Sequence, residues 1–326
     1  MAEKKHDLYQ FIFMNKMTTF IFIMTEIPIQ PFRFPDLDGD FHLFIKREDL
    51  THPIISGNKF WKMKYNLLEA RKLHAETLVT FGGAMSNHIV AAAAAGKENG
   101  FKTVGIIRGQ EIIGKWQDNE TLCQASELGM DFRFVPRDEY RLKEKSDYIK
   151  QILSQIANYY LVPEGGTNAL AVKGAAEILD ERTTGFDLIT VAMGTGGTLA
   201  GLSVGAKNHQ QIIGFPSLKN AGFLVNEVLR YSDKENFTIN LQYHFGGYAK
   251  ISDELIDFIN DFYRLNGIPL DPVYTGKMMF GLRNMLRNGE IGTDKKILAI
   301  HTGGLQGIRE MNKFLKKKHK TLLITD

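Results

Sequence analysis

The sequence predicts an α/β fold made of two interleaved, open domains with largely parallel sheets. Short apolar runs rich in β-branched residues alternate with longer segments of helical periodicity, which is the pattern of βαβ units. Runs such as 188–192 contain few polar residues, as strands do when helices cover both faces of a sheet. The chain has 326 residues, enough for about two domains. Because no Pro/Gly/Ser-rich linker divides it, we expect the domains to be interleaved and not consecutive.

Each element is predicted from its own run of residues. The predicted strands are 41–46, 77–81, 103–107, 131–135, 159–162, 188–192, 211–215 and 297–301. The predicted helices include 60–73, 87–99, 118–128, 138–157, 169–182, 198–207, 253–266 and 277–287. Glycine clusters lie at strand ends, at 82–83, 165–166, 194–197, 246–247 and 303–304. Since ligands of open α/β sheets bind at the carboxyl ends of strands, these loops predict one composite site.

Composition and charge exclude several classes of protein. With 44% hydrophobic and 24% charged residues, the chain has the composition of a globular protein and not of a disordered one. The net charge is only +3 and no basic stripe or nucleic-acid-binding motif is present, so we expect no nucleic-acid partner. The single cysteine, Cys123, cannot form an intramolecular disulfide. No Cys/His cluster has the spacing of metal ligands, so we expect no metal.

The N-terminal apolar run, 11–24, is interrupted by Asn15 and Lys16. A membrane-spanning helix needs about 20 consecutive apolar residues. No small-residue cleavage site follows the run, which argues against a signal peptide. We therefore expect a cytoplasmic protein without a membrane partner. Methionines within the run offer alternative starts, so we expect the first two dozen residues to be dispensable.

The segment Gly194-Thr195-Gly196-Gly197-Thr198 follows an apolar strand and opens a helix. Glycines allow backbone N–H groups to approach an anion, and a helix N-terminus adds positive potential, so the segment predicts a phosphate cradle. The alternative is a tight turn that binds nothing. A dinucleotide site would require an acidic residue about 20 positions further on, where the chain has Gly214. The Gly-Lys-Ser/Thr ending of a nucleotide P-loop is also absent, which favours a smaller phosphate ester.

Lys59 ends the segment Ser56-Gly57-Asn58-Lys59 at a predicted loop-to-helix junction. Most lysines are solvated surface residues, but this one lies beside glycine and asparagine. The Asn58 amide is suited to bind a ring hydroxyl, and Lys62, one helical turn further on, to reach a phosphate. A lysine shielded from water and close to another cation is suited to act as a Schiff-base nucleophile.

The segment 81–88 forms a second strand–loop–helix junction, ending in Ser86, Asn87 and His88. Ser86 is either a simple helix cap or part of a binding site for a substrate carboxylate, together with the N–H groups of the next two residues. His88 taken alone is equally consistent with a structural histidine.

Two tyrosines and one threonine complete the candidate set. Tyr248 follows Gly246-Gly247, Tyr274 lies within 271–277, and Thr302 follows a buried strand. Isolated tyrosines are usually core residues with a satisfied hydroxyl. The flanking glycines favour a position in a cleft.

Four motifs, in this order, together resemble the ACC deaminase/D-cysteine desulfhydrase family of pyridoxal-phosphate (PLP) enzymes, where ACC is 1-aminocyclopropane-1-carboxylate. They are Lys-Arg-Glu-Asp (46–49), Gly-Asn-Lys-x-x-Lys (57–62), Gly-Gly-x-x-Ser-Asn (82–87) and Asp-Pro-Val-Tyr-x-Gly-Lys (271–277). The resemblance extends from about Phe32 to the C-terminus. It implies the tryptophan-synthase-β-like fold (fold type II) with PLP in the cleft between the domains. It also implies a small α/β domain, 60–163, inserted between 1–59 and 164–326, and a homodimer.

The resemblance also implies a role for each candidate residue. Lys59 would hold PLP as a Schiff base and act in catalysis together with Ser86, Tyr248 and Tyr274. Residues expected to contact the cofactor are Asn58 and Asn87 near the ring oxygen, Lys62, Gly194, Thr195, Gly196, Gly197 and Thr198 at the phosphate, and Thr275 and Thr302 near the ring. Residues expected to contact the amino-acid substrate are Ser86, Asn87, His88, Tyr248 and Tyr274.

Two departures from the family pattern bear on the reaction. Thr275 and Thr302 stand where ACC deaminases have Glu and Leu. A hydroxyl near the pyridine nitrogen stabilises the protonated ring less than a carboxylate does. Opening a cyclopropane that has no α-proton should need a stronger electron sink than β-elimination. The sequence therefore favours D-cysteine desulfhydrase-like conversion of D-cysteine to pyruvate, hydrogen sulfide and ammonia, with ACC deamination to 2-oxobutyrate and ammonia as the alternative.

The sequence leaves the substrate, and to a lesser extent the reaction, open. Met85 replaces a residue that is often Gln in the family, which removes a polar contact near the substrate and weakens the case for D-cysteine itself. A racemase or dehydratase would use the same lysine. A non-catalytic binding protein is disfavoured by the intact Lys59, Ser86, Tyr248 and Tyr274. A nicotinamide-dependent oxidoreductase is disfavoured because the acidic residue that would bind the ribose, about 20 positions after the glycine loop, is absent.

Overall fold

The computed structural model of the chain describes residues 9–13, 20–24 and 26–325. The strands in this part of the chain are β1 (Tyr9–Phe13), β2 (Phe20–Met24), β3 (Ile29–Pro31), β4 (His42–Lys46), β5 (Thr77–Gly83), β6 (Lys102–Arg108), β7 (Met130–Val135), β8 (Tyr159–Val162), β9 (Leu188–Met193), β10 (Gln211–Pro216), β11 (Phe237–Ile239) and β12 (Lys296–Ile300). The α-helices are α1 (Asn58–Lys72), α2 (Asn87–Glu98), α3 (Glu120–Glu127), α4 (Arg137–Leu142), α5 (Asp147–Ser154), α6 (Ala169–Ala176), α7 (Gly197–Gly205), α8 (Leu224–Leu229), α9 (Asp253–Asn266), α10 (Thr275–Arg287) and α11 (Gly307–Lys317).

The larger sheet has the strand order β11-β10-β9-β12-β4-β3. All neighbours pair in parallel except β3 and β4. Strand β9 is buried along its whole length, and Ile189 lies opposite Ile212 on one side and Leu298 on the other. Burial on both faces explains the uninterrupted apolar run in this strand. The α/β fold with largely parallel sheets is therefore confirmed.

The smaller sheet has the order β7-β6-β5-β8, and all its strands are parallel. It is formed by residues between 77 and 162, with α1 before it and α6 after it in the chain. At Gly174 an added Cβ would lie 2.0 Å from the carbonyl oxygen of Trp61, so α6 and α1 pack with their backbones in close approach. The separate small sheet supports an inserted domain at 60–163, and this division stays a prediction.

The carboxyl ends of the strands place the candidate residues. In the larger sheet, β9 is followed by 194–198, β10 by 217, β12 by 301–304 and β4 by 47–59. In the smaller sheet, β5 is followed by 84–88 and β8 by 163–167. Gly57 brings the loop after β4 against the loop after β12. Its φ is +67°, and an added Cβ would lie 2.0 Å from the carbonyl oxygen of Thr302. Only glycine admits this approach, so the start of α1 is held directly against the loop after β12.

Two predicted helices are shorter in the structure. The helix predicted at 138–157 is wrong as a single unit, because Lys143 has a φ of +51° and Ser146 caps a new helix by accepting a hydrogen bond from the N–H of Ile149. The helix predicted at 169–182 ends at Ala176, and the Asp180 side chain accepts from the Arg182 N–H in a separate turn. Polar side chains that bind nearby backbone groups interrupt helical periodicity in both places.

Several elements were not predicted, namely β1, β2, β3, β11, α8 and α11. In α11 the buried Ile308, Met311 and Leu315 form an apolar stripe at helical spacing, which was an available signal. The prediction that the first two dozen residues are dispensable falls largely outside the described residues, since only β1 and β2 are described there. Within the described ranges, no helix combines the length and apolar character needed to cross a membrane.

Candidate active site

A cavity of about 550 Å³ lies where the carboxyl ends of the two sheets face each other. Predicted site residues that line it are Asn58, Lys59, Lys62, Ser86, Asn87, His88, Gly194, Thr195, Gly196, Thr198, Tyr248, Tyr274 and Thr302. Gly197 and Thr275 are not among the lining residues. The structure therefore brings together nearly all of the predicted set, although its members are spread over almost the whole chain.

Lys59 lies in the first turn of α1 and its amine faces this cavity. Burial disfavours the charged ammonium and lowers the pKa of Lys59 to about 8. A lysine with this pKa is neutral in a far larger fraction near neutral pH than an ordinary surface lysine. It is therefore prepared to act as a nucleophile or a base.

Lys62 is buried one turn further along α1 and is anchored by two hydrogen bonds. Its Nζ donates to the carbonyl oxygen of Gly165 and to Oγ1 of Thr167, each at 2.9 Å. Burial and, secondarily, the charge of Lys59 hold the pKa of Lys62 well below its usual range. An anion bound in the cavity would favour the charged form of Lys62, whose third N–H donor would then be available to that anion.

The loop after β9 has the form of an anion cradle. Gly196 has a φ of +84°, and an added Cβ on Gly197 would lie 2.7 Å from Cγ2 of Thr167 and 3.2 Å from Nζ of Lys62. The first N–H groups of α7 have no acceptor within the helix and remain available to a ligand. Thr198 Oγ1 accepts a hydrogen bond of 2.7 Å from Asn58 Nδ2.

One further polar group points to a ligand at this cradle. Ser217 follows β10, next to β9 in the larger sheet, and its N–H donates to the carbonyl oxygen of Met193. Its hydroxyl is buried in the cavity wall and has no hydrogen-bond partner among the described residues. Buried polar groups are nearly always paired, so a phosphate oxygen fits this position. The cradle, the orphaned hydroxyl and the nearby amines of Lys62 and Lys59 together suit PLP.

Ser86 is the N-cap of α2, but its hydroxyl makes no capping hydrogen bond. Its backbone has extended geometry, with φ −85° and ψ 115°, and the hydroxyl and the following N–H groups are free to bind a ligand. Asn87 lies close to the glycine loop after β12, since an added Cβ on Gly304 would be 2.7 Å from its Nδ2. The local chain thus forms an anion-binding helix N-terminus opposite the phosphate cradle.

His88 is buried behind this helix terminus and is held as a neutral ring. The single proton of the Thr80 hydroxyl is donated to the carbonyl of Val162 at 2.8 Å, so Thr80 accepts from Nε2 of His88 at 2.8 Å. Burial first, and then the charges of Lys59 and Lys62, keep the pKa of His88 well below its usual range. Its Nδ1 is left as an acceptor without a partner in the described chain.

Tyr248 and Tyr274 pack edge to face, with ring centroids 6.2 Å apart, and both line the cavity. Tyr248 also donates to the carbonyl of Met85 at 3.3 Å, which joins the tyrosine pair to the loop before α2. Burial raises the pKa of Tyr274 well above its ordinary value, and the neighbouring Tyr248 adds to this. Burial also raises the pKa of Tyr248, so both phenols keep their protons near neutral pH.

Thr275 lies behind this wall of the cavity. Its hydroxyl donates to Oδ2 of Asp271 at 2.7 Å and accepts from the Asp271 N–H at 2.9 Å. The predicted contact of Thr275 with the cofactor ring stays a prediction, and its hydroxyl is occupied by these bonds. Thr302, by contrast, lines the cavity.

Asp271 and Lys277, from the motif around Tyr274, were not predicted as functional. The Asp271 carboxylate accepts from the N–H groups of Val273, Tyr274 and Thr275 and fixes the start of α10. Lys277 Nζ donates to the carbonyls of His244 at 2.9 Å and Gly247 at 2.7 Å, and so holds the loop that carries Tyr248. Both act as positioning residues for the tyrosine pair.

Sequence reasoning also missed Ser217, Arg108, Arg137 and Glu164, which line the cavity. Ser217, Arg108 and Glu164 follow or end strands of the parallel sheets, and the same strand-end rule that selected the glycine loops was available to find them.

Comparison with known proteins agrees with this site. Residues 24–303 match the family described as "Pyridoxal-phosphate dependent enzyme". A Thermotoga maritima protein named "Putative 1-aminocyclopropane-1-carboxylate deaminase" is 35% identical over 290 residues, covering 82% of this chain and 90% of the relative. An Arabidopsis thaliana protein named "Bifunctional D-cysteine desulfhydrase/1-aminocyclopropane-1-carboxylate deaminase, mitochondrial" is 29% identical, covering 89% of this chain and 79% of the relative.

Solved structures show the same fold. The crystal structure of an ACC deaminase homologue superposes with a TM-score of 0.72 at 31% identity, covering 89% of this chain and 93% of the other. A Helicobacter pylori O-acetylserine dependent cystathionine β-synthase has a TM-score of 0.61 at 17% identity, covering 88% of this chain and 95% of the other, which supports the fold alone. With its cavity, its buried lysine and these relatives, the chain belongs to the family of pyridoxal-phosphate dependent enzymes.

Proposed function

We propose that the enzyme catalyses β-elimination from a small amino acid, with D-cysteine as the preferred test substrate and pyruvate, hydrogen sulfide and ammonia as products. The observation that carries this proposal is the arrangement around Lys59. A buried amine with a pKa of about 8 shares one cavity with an anion cradle, a second anion-binding helix terminus and two protonated tyrosines.

Bound PLP supplies an electron sink for the charge that develops at the substrate α-carbon. Lys59 would be covalently linked to the cofactor at rest and would act as the base at the α-proton once substrate has displaced it. Its pKa of about 8 suits this task, because a general base works best when its pKa is close to the working pH. The cradle at 194–198, with Ser217 and Lys62, would hold the phosphate and fix the ring relative to this amine.

The free hydroxyl of Ser86 and the N–H groups at the start of α2 would hold the substrate carboxylate. Because Lys59 lines the same cavity, a carboxylate bound there would bring the α-carbon into the space that this amine faces. His88 stays neutral behind α2, so it adds no second charge to the site and offers only its Nδ1 lone pair.

Tyr274 would donate a hydrogen bond to the departing sulfur, because its raised pKa keeps the phenol protonated and the ring of Tyr248 packs against it. Lys277 maintains this geometry from outside the cavity through the loop before Tyr248.

A second candidate is ACC deamination to 2-oxobutyrate and ammonia. The names of the relatives favour it, and so does one structural observation. The hydroxyl of Thr275 is occupied by Asp271, so only Thr302 remains as a hydroxyl near the pyridine ring. The case against ACC as substrate, which came from a weakly stabilised protonated ring, then depends on Thr302 alone. Both reactions use the same lysine and the same carboxylate site.

The deciding experiment is a product analysis of the PLP-loaded enzyme with D-cysteine, L-cysteine, D-serine and ACC given separately. We expect sulfide and pyruvate from D-cysteine and no 2-oxobutyrate from ACC. Production of 2-oxobutyrate from ACC as the main reaction would replace the first candidate with the second. A Lys59→Ala variant should lose the visible absorption band of the bound cofactor, and retention of that band would contradict the role of Lys59.

We also propose that the enzyme is a cytoplasmic homodimer that acts on a small amino acid without a nucleic-acid partner. The resemblance to family members that are usually dimers supports this proposal. Light scattering should give twice the mass of one chain, and a mass equal to that of one chain would contradict the dimer.

A further inference from the structure

A second cavity of about 340 Å³ adjoins the active site and is strongly basic. Its lining residues are Arg108, Arg137, Tyr140, Arg141, Lys143 and Glu164. Arg108, Arg137 and Glu164 also line the active-site cavity, so the two spaces share a wall. None of these side chains has a role in the mechanism proposed above.

The positive charges of this cavity are only partly compensated. Glu164 is the acidic lining residue, and it is already bound by Lys143 at 2.9 Å and by the hydroxyl of Tyr140 at 2.5 Å. Arg137 pairs with Glu111 at the surface. Arg108 and Arg141 have no carboxylate partner among the described residues, which leaves the cavity with an excess of positive charge.

Arg108 is the residue that connects this charge with the substrate. It ends β6, and its Nη2 is 3.4 Å from the position that a Cβ on Gly83 would occupy. Gly83 begins the loop that leads to Ser86 at the start of α2. Arg108 also lines the active-site cavity together with Tyr248 and Tyr274.

We propose that Arg108 forms a cationic subsite for a second anionic group on the β-substituent of the amino-acid substrate. The inference rests on the proposed β-elimination, in which Ser86 and the start of α2 hold the α-carboxylate. Arg108 then remains for another carboxylate or oxyanion. A guanidinium binds such a group through two parallel N–H donors, which provides specificity as well as affinity.

A suitable reaction is the elimination of thioglycolate from S-(carboxymethyl)cysteine. The α-carbon loses its proton to Lys59, and the Cβ–S bond breaks with its electron pair remaining on sulfur. The thiolate leaves with its carboxylate still at Arg108, and water converts the remaining enamine into pyruvate and ammonia. The uncharged amide analogue, S-(carbamoylmethyl)cysteine, reacts in the same way and differs only in the terminal group.

The first test compares kcat/KM for these two compounds, each supplied as both enantiomers. The PLP-loaded parent enzyme should prefer the carboxylate. In Arg108→Gln the carboxylate-to-amide ratio should fall about tenfold or more, because a hydrogen bond to a charged group is lost. Arg108→Lys should recover part of the ratio. Arg133→Gln, which removes an exposed arginine of the neighbouring strand β7, serves as the matched control and should keep the parent ratio.

A second test measures binding to the subsite without turnover. Titration calorimetry of the PLP-loaded enzyme with glutarate and with glutaramate, which has one carboxylate replaced by an amide, should show tighter binding of glutarate. Arg108→Gln should remove the difference. If no compound yields pyruvate but the difference in binding is present, the proposed reaction fails and the cationic subsite stands. Equal losses for both substrates in Arg108→Gln, or equal binding of both titrants by the parent, would overturn the subsite.

Discussion

Lys59 and Lys62 are two lysines of the same helix, one turn apart, with different surroundings. Lys62 donates to two protein oxygens at 2.9 Å, whereas the amine of Lys59 has no hydrogen-bond partner among the described residues. Burial lowers the pKa of both lysines, and the charge of Lys59 adds to the effect on Lys62. The anchored lysine is therefore suited to hold a phosphate, and the unanchored one to react.

The lowered pKa of Lys59 predicts how cofactor loading depends on pH. Only the neutral amine attacks the PLP aldehyde, and its fraction rises about tenfold per pH unit until the pH reaches the pKa. The loading rate of the cofactor-free enzyme should therefore rise up to a pH of about 8 and become level above it. Stopped-flow visible absorbance would measure this rate.

The matched control for this prediction is Lys64→Gln, which removes a lysine of the same helix that pairs with Glu177 outside the cavity. This variant should keep the parent profile, whereas Lys59→Ala should show no absorbance change. A loading rate that continues to rise to a pH near 10.5, the ordinary value for lysine, would contradict the lowered pKa.

At the scale of the element, the starts of helices provide the binding groups. Helices α1, α2, α7 and α10 all begin at or beside the cavity. At the start of α7 there is no room for a side chain, because a Cβ on Gly197 would lie 2.7 Å from Cγ2 and 2.8 Å from Oγ1 of Thr167. A side chain at this position would therefore change the shape of the predicted cradle.

Gly197→Ala is expected to weaken PLP binding by about tenfold or more, since forcing a methyl group into a closely packed site costs about 1–3 kcal/mol. Equilibrium dialysis of PLP against the cofactor-free enzyme would give the dissociation constant. Gly222→Ala is the matched control, because nothing lies within 4 Å of an added Cβ at Gly222. Equal effects of the two changes would show that the cradle tolerates a side chain and would contradict its proposed role.

For the molecule as a whole, the described hairpin β1–β2 is separate from the two sheets that enclose the cavity. Its strands pair with each other and with no strand of the other sheets in the described ranges. The larger sheet begins with β3, and its edge is closed by the antiparallel β3–β4 pair. The strands that carry the cavity therefore do not depend on a described strand before residue 29 for their backbone pairing.

A chain that starts at Glu26 should fold and bind PLP as the full chain does. The truncation removes no hydrogen-bonded neighbour from any described strand of the two larger sheets. We therefore expect the Tm to change by less than about 2 °C, which is the shift that a loss of about 1 kcal/mol produces in a protein of this size class. Differential scanning calorimetry and PLP titration of both chains would measure the two quantities. Loss of soluble protein or of PLP binding would show that the segment contributes to the fold.

Much of this protein was predictable from sequence, because the signals are local. Apolar runs such as 188–192 indicated buried parallel strands, and the glycines at 194–197 indicated an anion cradle at the end of one of them. The motif around Lys59 identified the cofactor through its resemblance to a family, and the family match confirms PLP. Each of these features depends on residues close together in the chain.

The tertiary structure alone decided a second set of features, because their partners lie far apart in the chain. Asn58 binds Thr198, Gly57 lies against Thr302, and Lys277 holds the carbonyl of Gly247. The burial that lowers the pKa of Lys59 comes from elements of both sheets, and no local pattern records it. The sequence determined which chemistry is present, and the tertiary structure decided which groups are free to take part, because the partners that occupy a polar group come from distant parts of the chain.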